Sequence, residues 1–177
     1  MTTSSNFIMQ FNGSFNSFYG LSNEELERVY VAWCNGLSDA TAFLQRFELL
    51  EVVRIQFCKR LLKIEFCFQP VLKVLDLEGN SLSVINIKQL GQLEELYVHT
   101  NKLKEIDVTN NLKLRILNVK NNQLSKIYVK HLKYLERLYL NQNLFEKVPE
   151  LPPDIQILDV SRNKISDLSK IKQKQLK

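Results

Sequence analysis

The chain has 177 residues, of which 45% are hydrophobic and 24% are charged, and its formal net charge is +5 at pH 7. This length and composition are typical of one globular domain with a sizeable core. They exclude a transmembrane helix, because the sequence contains no apolar run of about 18 residues or more. The three cysteines, an odd number without the spacing of a disulfide framework, favour a reducing compartment.

The first 25 residues contain no basic stretch followed by an apolar core, so they lack the pattern of a secretory signal peptide. Together with the cysteine content, this predicts a cytoplasmic protein. Within this segment, Asn12 lies 22 residues before Cys34. We expect residues 1–25 to be an N-terminal segment, either a cap or half of the repeat described below.

Two stretches further along the chain share one pattern of apolar residues followed by a cysteine. They are LERVYVAWCNGL (Leu26–Leu37) and LEVVRIQFCKRL (Leu50–Leu61), with Cys34 and Cys58 at the same place in the pattern. The apolar residues that alternate before each cysteine predict a short strand.

The first of these stretches also has a helical interpretation. Ser22 and Glu25 have the spacing of a capping box. Apolar residues then follow at helical intervals, namely Leu26, Val29, Tyr30, Trp33 and Leu37. We favour the strand because the second stretch matches it closely, and a capping helix is the alternative. Between the two stretches, Ser38–Phe47 can form one or two helical turns, with Ser38 as the N-cap.

From Leu72 onward, five successive stretches follow the pattern L-x-x-L-x-L/V-x-x-N-x-L, with other apolar residues at the ends of the last two. They read LKVLDLEGNSL, LEELYVHTNKL, LRILNVKNNQL, LERLYLNQNLF and IQILDVSRNKI. Their asparagines are Asn80, Asn101, Asn122, Asn143 and Asn163, at intervals of 21, 21, 21 and 20 residues. A fixed period of this length indicates a solenoid of stacked repeats.

Elementary physics explains the pattern. Alternate leucines point to one face of a short strand, and no single repeat can bury that face, so neighbouring repeats stack into one continuous core. The asparagine follows the strand, where its amide can donate to and accept from backbone groups of neighbouring turns. We expect the asparagines, with Cys34 and Cys58 at the equivalent places, to form a buried structural ladder. The segments between strands are too short for a full helix, and three contain I-x-I/V pairs, so we expect extended returns.

This pattern, with asparagine or cysteine at the ladder position, resembles the leucine-rich repeat (LRR) family. The resemblance implies an α/β-type solenoid, a right-handed superhelix with a curved parallel β-sheet on its concave side. Its convex side would be mostly extended or short-helical. We expect about seven repeats over residues 26–168, as implied by the family's repeat length, followed by a basic tail at residues 169–177.

The type of repeat points in two directions. VPELPPDIQILDVSRN (Val148–Asn163) resembles repeats of secreted bacterial effector proteins, whereas the two cysteine-containing copies resemble repeats of plant immune receptors. An effector would be delivered into a host cytosol and could act as an adaptor that brings a substrate to a separate enzyme. The source and the pathway stay open.

Members of the family bind other proteins through the concave sheet, so we predict partner contacts at the outward strand positions. These are Tyr30, Arg54, Asp76, Glu78, Tyr97, His99, Asn118, Lys120, Tyr139, Asn141 and Asp159. Neighbouring strands lie ~4.8 Å apart, which places Tyr97 and Tyr139 about 10 Å apart with His99 beside Tyr97. Tyrosine is enriched at binding hot spots.

The sequence offers no catalytic site. Asp76 and Glu78 share a face at about 6.5–7 Å, near the spacing of a glycosidase acid pair, but we interpret both as solvated acids on an open sheet. His99 and His131 are expected on opposite faces, so they cannot bind a metal together. We therefore predict a non-catalytic, monomeric protein without metal or cofactor.

The charge distribution provides an alternative function. Residues 71–177 carry a net charge of +6, against −1 for residues 1–70. Lysines of the returns and the tail are Lys88, Lys104, Lys113, Lys126, Lys130, Lys133, Lys170, Lys172, Lys174 and Lys177. Such a surface attracts nucleic acid or anionic membrane, although interleaved acids dilute it. The sequence therefore favours protein binding, with binding of nucleic acid or membrane as the alternative.

Overall fold

The structure is a computed structural model that describes residues 8–10, 28–32, 38–45, 47, 49–66 and 69–169. Several predicted features lie outside these residues: Asn12, the capping-box pair, the ladder position Cys34, and the tail lysines. Tyr30 is described by its backbone alone.

The described part of the chain contains eight short strands and one helix. The strands are β1 (Ile8–Gln10), β2 (Arg28–Ala32), β3 (Val52–Gln56), β4 (Val74–Asp76), β5 (Glu95–Tyr97), β6 (Ile116–Asn118), β7 (Arg137–Tyr139) and β8 (Ile157–Asp159). The helix, α1, spans Thr41–Gln45 between β2 and β3. Among the described residues, no helix is long and apolar enough to cross a membrane.

All eight strands form one parallel sheet in their order along the chain. This confirms the predicted solenoid, because each repeat adds one strand beside the previous one. Arg28–Ala32 pairs with Val52–Gln56 residue by residue, so the strand interpretation of this stretch is confirmed and the capping helix is wrong for these residues.

The core lies between the sheet and the returns. The inward-pointing residues are Val53 and Ile55 in β3 and the central residue of each strand from β4 to β8, namely Leu75, Leu96, Leu117, Leu138 and Leu158, all buried. The returns contribute the predicted apolar pairs, Ile85 with Ile87, Ile106 with Val108, and Ile127 with Val129, which are also buried. Residues 81–169 contain no helix, as the return length predicted.

Asparagine side chains connect consecutive turns where the chain leaves each strand. Asn122 is representative: its Oδ1 accepts the amide of Leu103 at 2.9 Å. Its Nδ2 donates to the carbonyls of Val98 at 2.9 Å and Val119 at 3.1 Å. The other four asparagines of the pattern make the same three kinds of bond. Cys58 takes this place in the preceding repeat, fully buried, with its amide donating to Asn80 Oδ1.

The residue before each ladder position has a left-handed backbone. These residues are Phe57, Gly79, Thr100, Asn121, Gln142 and Arg162, with φ between 52° and 70°. The conformation turns the chain sharply off the strand, and most side chains tolerate it only at a cost. At Gly79 there is a further constraint, because a Cβ there would lie 2.4 Å from Cδ1 of the Phe57 ring.

The N-cap of α1 differs from the prediction. The helix begins at Thr41, and its first amide donates to Asp39 Oδ1 at 2.8 Å, so Asp39 and not Ser38 supplies the side-chain cap. Ser38 instead provides its backbone carbonyl, which accepts the amides of Leu62 and Lys63. The hydrogen bond from Thr41 also holds the pKa of Asp39 below its ordinary value.

Gly79→Ala is expected to lower the free energy of unfolding by about 1–3 kcal/mol, because it combines a left-handed alanine with displacement of the Phe57 ring. Gly91→Ala is the matched control, since nothing lies within 4 Å of its added Cβ. That control should leave the free energy within about 0.5 kcal/mol. Urea unfolding of both variants tests this, and equal stability of the two variants would contradict it.

Candidate functional site

The half-exposed side of the sheet, opposite the core, corresponds to the predicted concave face and is called the concave face below. Residues in direct register on neighbouring strands form rows across this face. The central row contains Tyr30, Arg54, Asp76, Tyr97, Asn118, Tyr139 and Asp159. A lower row lies two residues earlier on each strand: Val52, Val74, Glu95, Ile116, Arg137 and Ile157.

An upper row lies two residues after the central row, at or just beyond the strand ends: Gln56, Glu78, His99, Lys120, Asn141 and Ser161. Backbone hydrogen bonds keep it in register. The amides of Gly79, Thr100 and Asn121 donate to the carbonyls of His99, Lys120 and Asn141, at 3.1, 2.9 and 2.9 Å respectively. The predicted contact residues are therefore brought onto one surface as two of its three rows.

The carboxylates near β4 belong to a hydrogen-bonded network. Gln56 Nε2 donates to Asp76 Oδ2 at 2.7 Å and to Glu78 Oε2 at 3.4 Å. His99 Nε2 lies 2.9 Å from Glu78 Oε1. The second oxygen of Asp76 accepts the backbone amide of Glu78 at 3.1 Å. Both carboxylates are thus held in fixed positions by groups of this face.

The interpretation of Asp76 as a solvated acid is wrong, because the residue is only 8% exposed. Burial raises the pKa of Asp76 above its ordinary value of 3.8, and this outweighs the opposing hydrogen bond from the Glu78 amide and the positive charge of Arg54. The alternation of the strand could not reveal this burial. Asn141, also predicted to be exposed, is only 9% exposed.

Tyr97 contributes a fixed hydroxyl and a half-buried ring. Its hydroxyl donates to Glu95 Oε2 at 2.9 Å. Burial, followed by the hydrogen bond and charge of Glu95, raises the pKa of Tyr97 to about 12, so this hydroxyl stays protonated at neutral pH. Tyr139, also half-buried, lies two strands further on, with Asn118 in register between the two tyrosines.

The second half of the concave face is different. Lys120 is half-buried in the upper row and Arg137 is exposed in the lower row, on either side of Tyr139. Asn141 follows Tyr139, and its buried Oδ1 has no hydrogen-bond partner within the described chain. Leaving such an amide unsatisfied costs about 1–3 kcal/mol. Asp159, in register with Tyr139, directs Oδ1 to the amide of Ser161 at 2.9 Å.

The described residues contain no group of three or more His, Cys, Asp or Glu side chains that could hold a metal ion. Glu95 and Arg137 also belong to this face, in the lower row, but they are not among the predicted contact residues, which come from the other two rows. The signal was available, since residues two positions apart on a strand share a face.

The convex side carries a groove of about 490 Å³, formed by the returns of three successive repeats. Its most exposed apolar members are Val84 and Tyr128, at 66% and 75% exposure. Lys88 and Asp107, also in the lining, form an ion pair at 3.1 Å. No repeated pattern predicts this groove, because Val84 and Tyr128 fall at positions that other repeats fill with polar residues.

Comparison with known proteins agrees with this architecture. Residues 71–93 match the family model described as Leucine Rich Repeat. No curated protein matches the chain.

Solved structures show the same fold. The functional domain of InlJ from Listeria monocytogenes, which includes a cysteine ladder, is 21% identical with a TM-score of 0.68, covering 73% of this chain and 28% of that one. An internalin, InlF, of the same organism is 22% identical with a TM-score of 0.57, covering 82% and 44%. A leucine-rich repeat protein of Leptospira interrogans is 21% identical with a TM-score of 0.61, covering 84% and 47%. The chain therefore spans less than half the length of each of these proteins.

The carboxyl groups of Asp76 and Asp107 are expected to titrate on opposite sides of the ordinary value. Hydrogen bonds from Thr109, with the charge of Lys88, lower the pKa of Asp107 to about 2, whereas burial raises that of Asp76. Carbon-detected NMR titration of both carboxyl groups measures this directly, with Asp107 as the internal control.

The raised pKa of Asp76 has a defined consequence for stability. The folded protein binds this proton more tightly than the unfolded chain, so the corresponding stability is present in acid and is lost as the pH rises through the folded pKa. The unfolding free energy of the wild type, relative to Asp76→Asn, should therefore fall as the pH rises from below the ordinary value of 3.8 through the raised folded pKa. A difference that rises over that range would contradict the burial argument.

Proposed function

Because this chain folds as a leucine-rich repeat solenoid, we propose that it is a non-catalytic module that binds another protein through the concave face. The observation that carries this proposal is the strict register of the face. Polar, aromatic and apolar side chains from six neighbouring strands, most of them half-exposed, form three continuous rows on it. A partner can contact all three rows at once.

The composition of the face fits this role. Tyr97 and Tyr139 present half-buried rings about two strand spacings apart, which is about 10 Å. Such rings supply apolar contact area at a low cost in side-chain entropy, and they are enriched at binding hot spots. Half-buried Val74, Ile116 and Ile157 add apolar area in the lower row. The face therefore combines apolar contact with fixed polar groups, as specific interfaces do.

The proposal includes a non-catalytic mode of action and a reducing, cytosolic setting. The two carboxylates that could act as acid and base lie on an open sheet and already accept hydrogen bonds. Both Asp76 and Glu78 accept from Gln56 Nε2, and Asp76 also accepts the Glu78 amide. Cys58 is buried and in no disulfide, and its thiol donates to the carbonyl of Gln56 at 3.4 Å, which is compatible with a reducing compartment.

One alternative is that the basic convex surface and tail bind nucleic acid or anionic membrane. Another is an effector-like adaptor whose repeats deliver a substrate to a separate enzyme. Two of the convex lysines are already paired with acids: Lys88 with Asp107 at 3.1 Å and Lys130 with Glu150 at 2.9 Å. This local pairing reduces the positive potential that a phosphate-rich partner would meet. The concave face is therefore the better-supported binding surface.

The proposal predicts that Tyr97→Ala combined with Tyr139→Ala abolishes capture of the specific partner from a cytosolic extract, because both rings leave the interface. The matched control is Lys126→Glu combined with Lys130→Glu on the convex side. Quantitative mass spectrometry compares the proteins retained by the wild type and by both variants. Circular dichroism verifies that each variant is folded.

The two variants separate the two functions. Proteins lost with the tyrosine variant and kept by the lysine variant are the expected result, and their retention should persist at about 0.5 M salt. Retention by the tyrosine variant, with loss from the lysine variant and in high salt, would reject the concave face and support the basic surface.

A further inference from the structure

The two halves of the concave face differ in how their charges are satisfied. In the first half, Asp76, Glu78 and Glu95 each accept at least one hydrogen bond, from Gln56 or from Tyr97. These acids therefore have partners in the folded chain before any ligand arrives.

The cations of the second half have no such partners. Among the described residues, neither the ammonium of Lys120 nor the guanidinium of Arg137 takes part in an ion pair or a side-chain hydrogen bond. The neighbours of Arg137 in register are Ile116 and Ile157, which carry no charge. The row neighbours of Lys120 are His99 and Asn141.

The two cationic residues lie on either side of Tyr139 in the register of the sheet. One chain segment carries Arg137, Tyr139 and Asn141 as alternate residues on one face. Each is about 6.6 Å from the next along the strand direction. Lys120 lies on the neighbouring rung, beside Asn141 and about 4.8 Å away along the row. The long side chains of the lysine and the arginine can therefore both reach a group placed above the Tyr139 ring.

Asn141 is an independent indication that this place is incomplete. Its side chain is nine-tenths buried, and the buried Oδ1 of its carboxamide accepts no hydrogen bond from the described residues. A carboxamide offers N–H groups that a carboxylate accepts, and a carbonyl oxygen that accepts from a peptide N–H. The other half-buried polar side chains of this half, Asn118 and Asp159, each accept a backbone amide of their own segment.

We propose that the protein partner presents the carboxylate of an aspartate or glutamate above Tyr139, where Lys120 and Arg137 flank it and Asn141 hydrogen-bonds the same residue. This inference rests on the proposed function and specifies the chemistry of its partner. The partner's carboxylate accepts hydrogen bonds from the cations of the second half, as Asp76, Glu78 and Glu95 accept hydrogen bonds from Gln56 and Tyr97 in the first half. Among the described residues, the acid in register with Tyr139 in this half is Asp159, and its carboxylate already accepts the amide of Ser161.

The test begins with random linear peptides displayed on phage and selected on the immobilised wild-type protein. Each enriched peptide is then checked for binding to the Tyr97→Ala/Tyr139→Ala variant. Peptides that need the tyrosines define the concave face, and they should share an aspartate or glutamate at one position. The best of them is synthesised with this residue and with the corresponding amide, Glu→Gln or Asp→Asn.

Binding of the two synthetic peptides is compared by fluorescence anisotropy on charge-deletion variants. Lys120→Met and Arg137→Met retain the apolar stems and remove the charges, and each should weaken the acidic peptide about tenfold. The amide peptide should bind these two variants as well as it binds the wild type, so the losses are coupled to the carboxylate. Convex Lys104→Met and Lys126→Met are the matched controls, with no expected change.

The outcomes keep this inference separate from the proposed function. Tyrosine-dependent peptides without a shared acid, or equal losses for the acidic and amide peptides, would overturn the carboxylate site and leave concave binding intact. Enriched peptides that all ignore the tyrosines would overturn both proposals.

Discussion

The whole structure depends on how the chain satisfies its backbone groups where it leaves each strand. A turn inside a packed core exposes amides and carbonyls that no sheet ladder can reach, and each unsatisfied group is costly. One asparagine per repeat meets this need. Asn101, for example, accepts the amide of Leu82 at 3.0 Å and donates to the carbonyl of Leu77 at 2.8 Å, one repeat earlier. The side chain therefore connects each turn with its neighbour, and the same connection is kept when the repeat shortens from 21 to 20 residues.

The recurring ladder bonds keep the rows of the concave face in register. Because each turn is connected to the preceding one by the same atoms, strands from Val52 to Asp159 pair without a register shift. A shift by one residue would exchange the buried and exposed faces of a strand. The three rows of the face are thus a consequence of the ladder. Their side chains are free to vary, which explains how one scaffold can serve many partners.

The sequence predicted the scaffold well because its signals are local and repeated. The spacing of the asparagines defined the strands, the I-x-I/V pairs defined the returns, and the match between two stretches identified the strand at Arg28–Ala32. The helix cap was predicted one residue too early, since Ser38 and Asp39 are both good capping residues and only the backbone path decides between them.

The site was harder to predict, because burial on an open sheet depends on the side chains of the neighbouring rungs. Alternation placed Asp76 and Asn141 on the correct face but could not show that both are at least nine-tenths buried. The hydrogen bonds of Gln56 to two carboxylates from the next repeat also depend on rotamers that a sequence pattern does not encode.

The most direct test of this account is native-state hydrogen exchange of the amides that donate to the ladder oxygens. These are the amides of Cys58, Leu82, Leu103, Leu124 and Phe145. If the ladder holds the repeats together, the amides from Leu82 to Leu124 should be among the slowest to exchange, with a common free energy close to that of global unfolding. Rapid exchange of these amides, at rates like those of the exposed returns, would contradict the central role of the ladder.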